Sequence, residues 1–282
     1  VVRSATTAST LHRPTRWHVD HARVLGQRAE LQVAGDVTLL DLGLTRLRLV
    51  EATLSRLLPM SELNRLNHDA DQWVAVSDEL SYALGRAVHL HRATGGLFHP
   101  VLAPCAYESL DTVGLTLTVD HHAHLRHDAR LDLSCIAGGI AADLAVDALV
   151  EAGAESVQVT VGRTVRVGGQ HPDGGWHVRL AHPVTGRPLA EHVIVTGAVT
   201  NAVGPGAGSW STSRDVRQII DPRTGGPVIT DVLGVIVTAP EAATAEAFAR
   251  AAIIAGSEAA AELLRVACEA WIVTADGVTK LP

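Results

Sequence analysis

Residues 132–139, Asp132-Leu133-Ser134-Cys135-Ile136-Ala137-Gly138-Gly139, join a short apolar stretch to a run of small residues that opens a helix. Such a junction leaves backbone N–H groups uncovered at the positive end of a helix, where a phosphate can approach them. Tight helix–strand packing needs small residues too, so the motif alone carries both readings. A second stretch runs Ile219-Ile220-Asp221-Pro222-Arg223-Thr224-Gly225-Gly226-Pro227-Val228. It reads as a buried strand stopped by a sharp turn, because proline fixes φ and removes a donor while glycine accepts positive φ. Third, Glu246 and Arg250 stand four apart on an Ala-rich helix. As a solvated ion pair they would contribute about 0.3–0.5 kcal/mol. His121, His122, His124 and His127 crowd one segment, read as a solvated turn rather than a transition-metal site. No Ser-His-Asp order and no phosphate-binding Walker loop is found.

The elements that must position these residues follow from periodicity. Arg28 to Val33 and Val37 to Leu40 read as strands around the turn Ala34-Gly35-Asp36. Leu47, Val50, Leu54, Leu57 and Leu58 recur at helical spacing before Pro59. Ser77 is placed to cap a helix running to about Ala93, with Leu80, Ala83, Leu84 and Ala87 on one face. Val113 to Val119 and Leu131 to Ser134 read as strands, and a helix runs from about Ala137 to Ala152. Ser156 to Val161 with Thr164 to Val167 reads as a hairpin, and Trp176 to Leu180, His192 to Thr196, Leu233 to Thr238 and Trp271 to Thr274 read as further strands. Asn201 to Ser211 reads as a loop, and two Ala-rich helices break at Gly256. Irregular alternation without a βαβ period predicts an α+β fold. Residues 1–21 read as a tail, and 22–282 as a single domain.

Composition narrows the classes. The 282 residues are 47% hydrophobic and 19% charged, which is globular usage. A formal net charge of −7 without a basic stripe disfavours nucleic acid as a partner. No apolar run is long enough for a membrane span. Cys105, Cys135 and Cys268 are widely separated and odd in number, which suits reduced thiols and a cytoplasmic location.

In order and wording these stretches resemble the ApbE family, the FAD:protein FMN transferases. Ile219 to Gly225 is similar to the family's His-Ile-Ile-Asp-Pro-x-Thr-Gly run, and residues 132–143 to its Asp-Leu-x-x-Ile-Ala-Lys-Gly-Tyr-Ala-x-Asp. Pro59 to Asn67, Thr94 to Pro100 and Leu25-Gly26-Gln27 resemble three further family segments. The resemblance implies an ApbE-like, T-fold-related mixed sheet flanked by helices, with FAD in a central cleft. It implies FAD contacts at Leu25, Leu57, Leu97, Phe98, His99, Ser134, Ile140, Ile219 and Asp221. It further implies a magnesium ion held by the Ala137 carbonyl and by the positions of Glu246 and Arg250, where the family carries Asp and Thr. Arg250 cannot ligate a cation, though its guanidinium could itself serve as counter-charge to the diphosphate. Gly138 replaces the family Lys, Thr164 the Asp of a hairpin motif, and Gln218 the family His. The implied reaction is magnesium-dependent transfer of FMN from FAD to a Ser or Thr hydroxyl of an acceptor protein, with release of AMP. The alternative is a catalytically impaired FAD-binding or interaction protein.

Overall fold

The computed structural model describes residues 16–102, 114–126, 129–171, 173–194, 196–205, 219–265 and 269–281. Gln218, Cys105, Cys268, His127, Ser211-Thr212-Ser213 and the start of the expected tail lie outside these. The framework is an eight-stranded sheet in the order β1 (Trp17–Val24), β2 (Gln27–Ala34), β8 (Ser156–Val161), β9 (Thr164–Gly169), β12 (Gly197–Val203), β13 (Gly234–Ala239), β14 (Ala270–Thr274), β15 (Gly277–Leu281). Its neighbouring strands are all antiparallel, a more uniform pattern than the expected mixed sheet. Hairpins join three of the seven neighbouring pairs directly, and a hairpin return reverses the chain. The α+β class and the flanking helices are as expected.

One face carries α1 (Thr38–Leu54), α4 (Ala137–Glu151) and α5 (Ala242–Ala255). Smaller elements extend this layer: α2 (Glu62–His68), α3 (Asp78–Ala93) and α6 (Ser257–Leu264), with the short strands β3 (Trp73–Ala75), β4 (Val101–Leu102), β5 (Thr116–Leu117), β6 (His122–His124) and β7 (Arg130–Leu131). The opposite face is covered near its middle by the hairpin of β10 (Trp176–Ala181) and β11 (Pro188–Ile194). There Trp176, Leu180 and Ile194 pack on Val167, Val199, Ile236 and Trp271. β13, Gly-Val-Ile-Val-Thr-Ala, is buried at every residue because it is covered on both faces, and its sequence is apolar without alternation for the same reason.

Ser77 caps α3 as expected, its hydroxyl accepting from Leu80 N at 3.1 Å, and Leu80, Ala83, Leu84 and Ala87 are buried. Gly256, at φ 84, separates α5 from α6 as expected. Other expectations are corrected. Trp17 to His21, within the expected tail, belong to strand β1; its half-exposed edge position leaves little hydrophobic alternation to read. Val37 to Leu40 opens α1 instead of forming a strand, because Asp36 captures the N–H and hydroxyl of Thr38 and turns the chain. His122 to His124 is the central strand of a small sheet, not a polar turn. Asn201 to Val203 continues β12. Ile219 to Val228 makes only a two-residue bridge, Ile220 opposite Pro227, around its turn. No helix among the described residues is long and apolar enough to cross a membrane.

Candidate active site

The start of α4 and the middle of α5 meet. Gly139 N–H donates to Glu246 Oε2 at 2.8 Å, and the Thr164 hydroxyl donates to Glu246 Oε1 at 2.7 Å. Thr164 Oγ1 lies 2.7 Å from Thr200 Oγ1, so carboxylate and two hydroxyls form one chain of oxygens. Glu246 remains partly exposed as a residue, but its carboxyl is enclosed. Burial pushes its pKa to about 7, against the lowering effect of those two hydrogen bonds and the Arg250 charge. Arg250 makes no ion pair within 4 Å and no hydrogen bond among the described residues, so the expected surface pair with Glu246 is not formed. Its charge still reaches Glu246 and Cys135.

Small residues make this meeting possible. A Cβ on Gly139 would lie 2.5–2.6 Å from the backbone of Ala242 and Ala243, so only glycine lets the two helices touch there. A Cβ on Gly138 would lie 3.1 Å from Glu246 Oε1. One helical turn on, Asp143 accepts from Ala242 N at 2.8 Å and Ala243 N at 3.0 Å, and thereby caps α5 from a neighbouring helix. Arg166 Nε donates to the same carboxylate at 3.0 Å. Burial nevertheless raises Asp143 to about 6. Asp147, one further turn along α4, is 57% exposed at its side chain.

A second edge of the site comes from the β1–β2 turn. Leu25 at φ 56 and Gly26 at φ 74 form it, and Leu25 N–H donates to Glu51 Oε1 at 2.6 Å. A Cβ on Gly26 would lie 3.0 Å from Leu57 Cδ1, which places Leu57, 63% exposed, over this turn. The segment carrying Leu57 is held by Asn64 Nδ2, which donates to Leu58 O at 2.8 Å, and by Arg56 beside Asp132 at 3.9 Å. Asp132 in turn accepts from the N–H of exposed Ser134 at 2.8 Å. Leu25, Leu57, Ser134, Ala137 and Glu246 therefore border one region. Gln27, which the sequence reading did not select, belongs with them: its amide approaches Gly138, and its side chain occupies the space a Cβ would need at Gly162, φ 61. The tight β8–β9 hairpin was the signal that could have found it.

The remaining expected contacts divide. Leu97 and Ile219 share an apolar cluster with Ala245, Phe248 and Ala249 of α5, which brings the Asp221 turn to the same helix. Asp221, 6% exposed, pairs with Arg223 at 2.8 Å and is held below the usual carboxylate range by it; Arg223 also donates to Ile254 O at 2.9 Å. Asp221 is thus committed to the turn. Phe98, 1% exposed, and Ile140, fully buried, have their side chains in the core. His99 Nδ1 accepts from Val101 N at 3.2 Å, and its ring meets His91 edge-on at 4.7 Å. Burial pushes the Cys135 thiol up to about 12. Among the described residues no group of three His, Cys, Asp or Glu side chains is arranged to hold a metal.

The model of the ApbE family matches residues 25–272. Among curated relatives, the FAD:protein FMN transferase of Vibrio cholerae is 26% identical over 77% of this chain and 74% of its own length. That of Treponema pallidum is 28% identical over 78% and 72%. Among solved structures, the ApbE protein of Thermotoga maritima matches with a TM-score of 0.80 at 18% identity, over 94% of this chain and 97% of its own. The flavin transferase ApbE of Vibrio cholerae matches with a TM-score of 0.77 at 22% identity, over 95% and 97%. With its family match spanning most of the sequence and the same fold in both solved relatives, the chain belongs to the ApbE family.

Proposed function

We propose that this protein transfers FMN from FAD to a Ser or Thr hydroxyl of an acceptor protein and releases AMP. One observation carries the reading: Glu246, the Gly139 amide and the Thr164 and Thr200 hydroxyls converge at the N-terminus of α4. Gly138 and Gly139 bring no side chain of their own to that helix end; the Ala137 and Gly139 N–H groups are engaged by Leu133 O and Glu246, so a diphosphate would lie beside them at the Glu246 carboxylate. Leu25, Leu57 and Leu97 offer apolar surface around it for the rings of a dinucleotide.

The donor set suits magnesium. All its atoms are hard oxygens, and magnesium is commonly held by one or two carboxylates together with substrate phosphates, without a full protein cage. Glu246 and the Ala137 carbonyl would hold it, with Thr164 orienting the carboxylate. When bound, such an ion offsets charge developing on the phosphate oxygens. In the transfer, the acceptor oxygen bonds to the FMN-side phosphorus while the bond from that phosphorus to the bridging oxygen breaks. AMP departs with that oxygen. The hydroxyl proton leaves to solvent or with the departing AMP phosphate, because Gln218, whose amide is no base at neutral pH, cannot take it. A reducing, cytoplasmic setting accords with the three scattered cysteines.

A second reading, an FAD-binding protein without transfer, is favoured by Arg250. Its guanidinium, unpaired among the described residues, offers a built-in counter-charge to a diphosphate where the first reading needs a cation. A gel assay for covalent flavin fluorescence on an acceptor peptide, with magnesium and with EDTA, separates the two. Magnesium-dependent labelling supports transfer. Tight FAD binding that EDTA leaves unchanged, without labelling, assigns the protein to the second reading.

A further inference from the structure

Gln27 is the first residue of β2 and stands directly after the Leu25–Gly26 turn. Gly162 N–H donates to Arg28 O at 2.8 Å, which seats the β8–β9 turn against this end of β2. The Gln27 side chain then lies across two glycines. A Cβ on Gly162 would collide with its Oε1, so glycine at 162 is what admits it. Its Nε2 is 3.4 Å from where a Cβ would stand at Gly138, and Glu246 Oε1 is 3.1 Å from that same point. Amide nitrogen and carboxylate therefore flank one notch, which Gly138 leaves without a side chain. Two donors here have no partner. Glu246 already accepts from Thr164 and Gly139, and the half-buried Gln27 makes no side-chain hydrogen bond among the described residues. Ala137 N–H donates to Leu133 O and Gly139 N–H to Glu246, but among the described residues nothing accepts from the buried Gly138 N–H between them. Buried backbone N–H groups are rarely left unmet, so this one calls for an acceptor that the chain itself does not supply.

We propose that Gln27 is a further binding residue of this site: its Nε2 donates to a diphosphate oxygen of the dinucleotide, across the notch from Glu246. The inference rests on the FAD-binding basis of the function proposed above and assigns a role to a residue outside the motifs read from the sequence. The notch is divided chemically. Its N–H groups suit an anionic oxygen, whereas the carboxylate repels one unless a cation intervenes. A diphosphate placed between them meets donors on the Gln27 side and a cation on the Glu246 side. The Gln27 amide is neutral, so it fixes the diphosphate without offsetting its charge. That task stays with Arg250 and with the cation at Glu246. A charge introduced at position 27 therefore changes how strongly FAD binding depends on magnesium, which an uncharged structural prop would not do.

The test measures FAD affinity of the full chain by flavin fluorescence, with magnesium and with EDTA, beside thermal melts of the same samples without ligand. Gln27→Leu is expected to weaken FAD binding roughly tenfold, the worth of one hydrogen bond to a charged oxygen, with the ligand-free melt within about 2 °C of the parent. Gln27→Glu should weaken binding by roughly another tenfold in EDTA, because it sets a like charge beside the diphosphate and Glu246, and magnesium should recover part of that loss. Gln27→Lys keeps a donor and adds a cation, so it should bind at least as tightly as the parent and respond less to magnesium. A Leu variant that binds FAD within about twofold of the parent overturns the inference. Equal affinity in the Lys and Glu variants overturns it as well, and assigns Gln27 a purely structural part. A Lys variant that loses its magnesium-dependent binding overturns it too, and makes the Gln27 amide oxygen a cation ligand instead. A parent protein that binds no FAD brings down the reading beneath, and this inference with it.

Discussion

Glu246→Gln removes one charge and almost no volume, and the structure predicts that it stabilises the ligand-free protein. The geometry accommodates glutamine: its Oε1 accepts from Gly139 N–H, while its Nε2 donates to Thr164, whose hydroxyl turns to donate to Thr200. The parent carboxyl is moved from 4.5 in the unfolded chain to about 7 in the folded one. Between those values the folded state binds more protons than the unfolded state, so parental stability falls as pH rises through this window and stays low above it. At 1.36 kcal/mol per pH unit, the loss is roughly 3 kcal/mol at pH 8. The Gln variant has no such group. It should therefore match the parent at pH 4.5 and exceed it by up to about 3 kcal/mol at pH 8, a rise in Tm on the order of 5–10 °C. Thermal melts of FAD-free, EDTA-treated protein across this pH range read the difference directly. Equal pH dependence in parent and variant would refute the reasoning, as would a variant less stable than the parent at pH 8. Under the proposed function the same substitution abolishes magnesium-dependent labelling, so the residue that weakens the empty fold is the one the site needs.

Gly139→Ala forces its new methyl to within 2.6 Å of the α5 backbone and should lower stability by at least about 1–3 kcal/mol, whereas Gly138→Ala meets side chains alone, Glu246 Oε1 at 3.1 Å and Gln27 at 3.4 Å, and should cost less; denaturant melts compare them. Asp143→Ala strips Ala242 N, Ala243 N and Arg166 of their acceptor and should destabilise by about 3–5 kcal/mol in the same assay, with Asp143→Asn losing less. Cys135, its thiol raised to about 12, should resist iodoacetamide at pH 8 in the native protein and react once denatured, as mass spectrometry of its peptide would show.

Much of this molecule is legible in one dimension. The Ser77 cap, the amphipathic face of α3, the Gly256 break and the β8–β9 hairpin follow from local chemistry, because each is made by residues within a few positions of one another. Family membership was legible for a similar reason, since Asp132 to Asp143 and Ile219 to Gly225 keep their spacing. Edge strand β1 was missed, because its burial is set by a neighbour and not by its own alternation. Side-chain partnerships escaped for the same reason: Glu246 faces Gly139, 107 residues away, and not Arg250 four residues on. Likewise Asp143, which read as a matched family position, is the cap of a helix about a hundred residues downstream. Residue types and intervals determined which groups are available; only the close approach of α4 to α5, permitted by a missing Cβ at Gly139, decided which of them meet. Helical and strand periods act over a few residues, whereas the pairing of a buried carboxylate is set by whichever donors long-range packing delivers, and that order is not written in any local window.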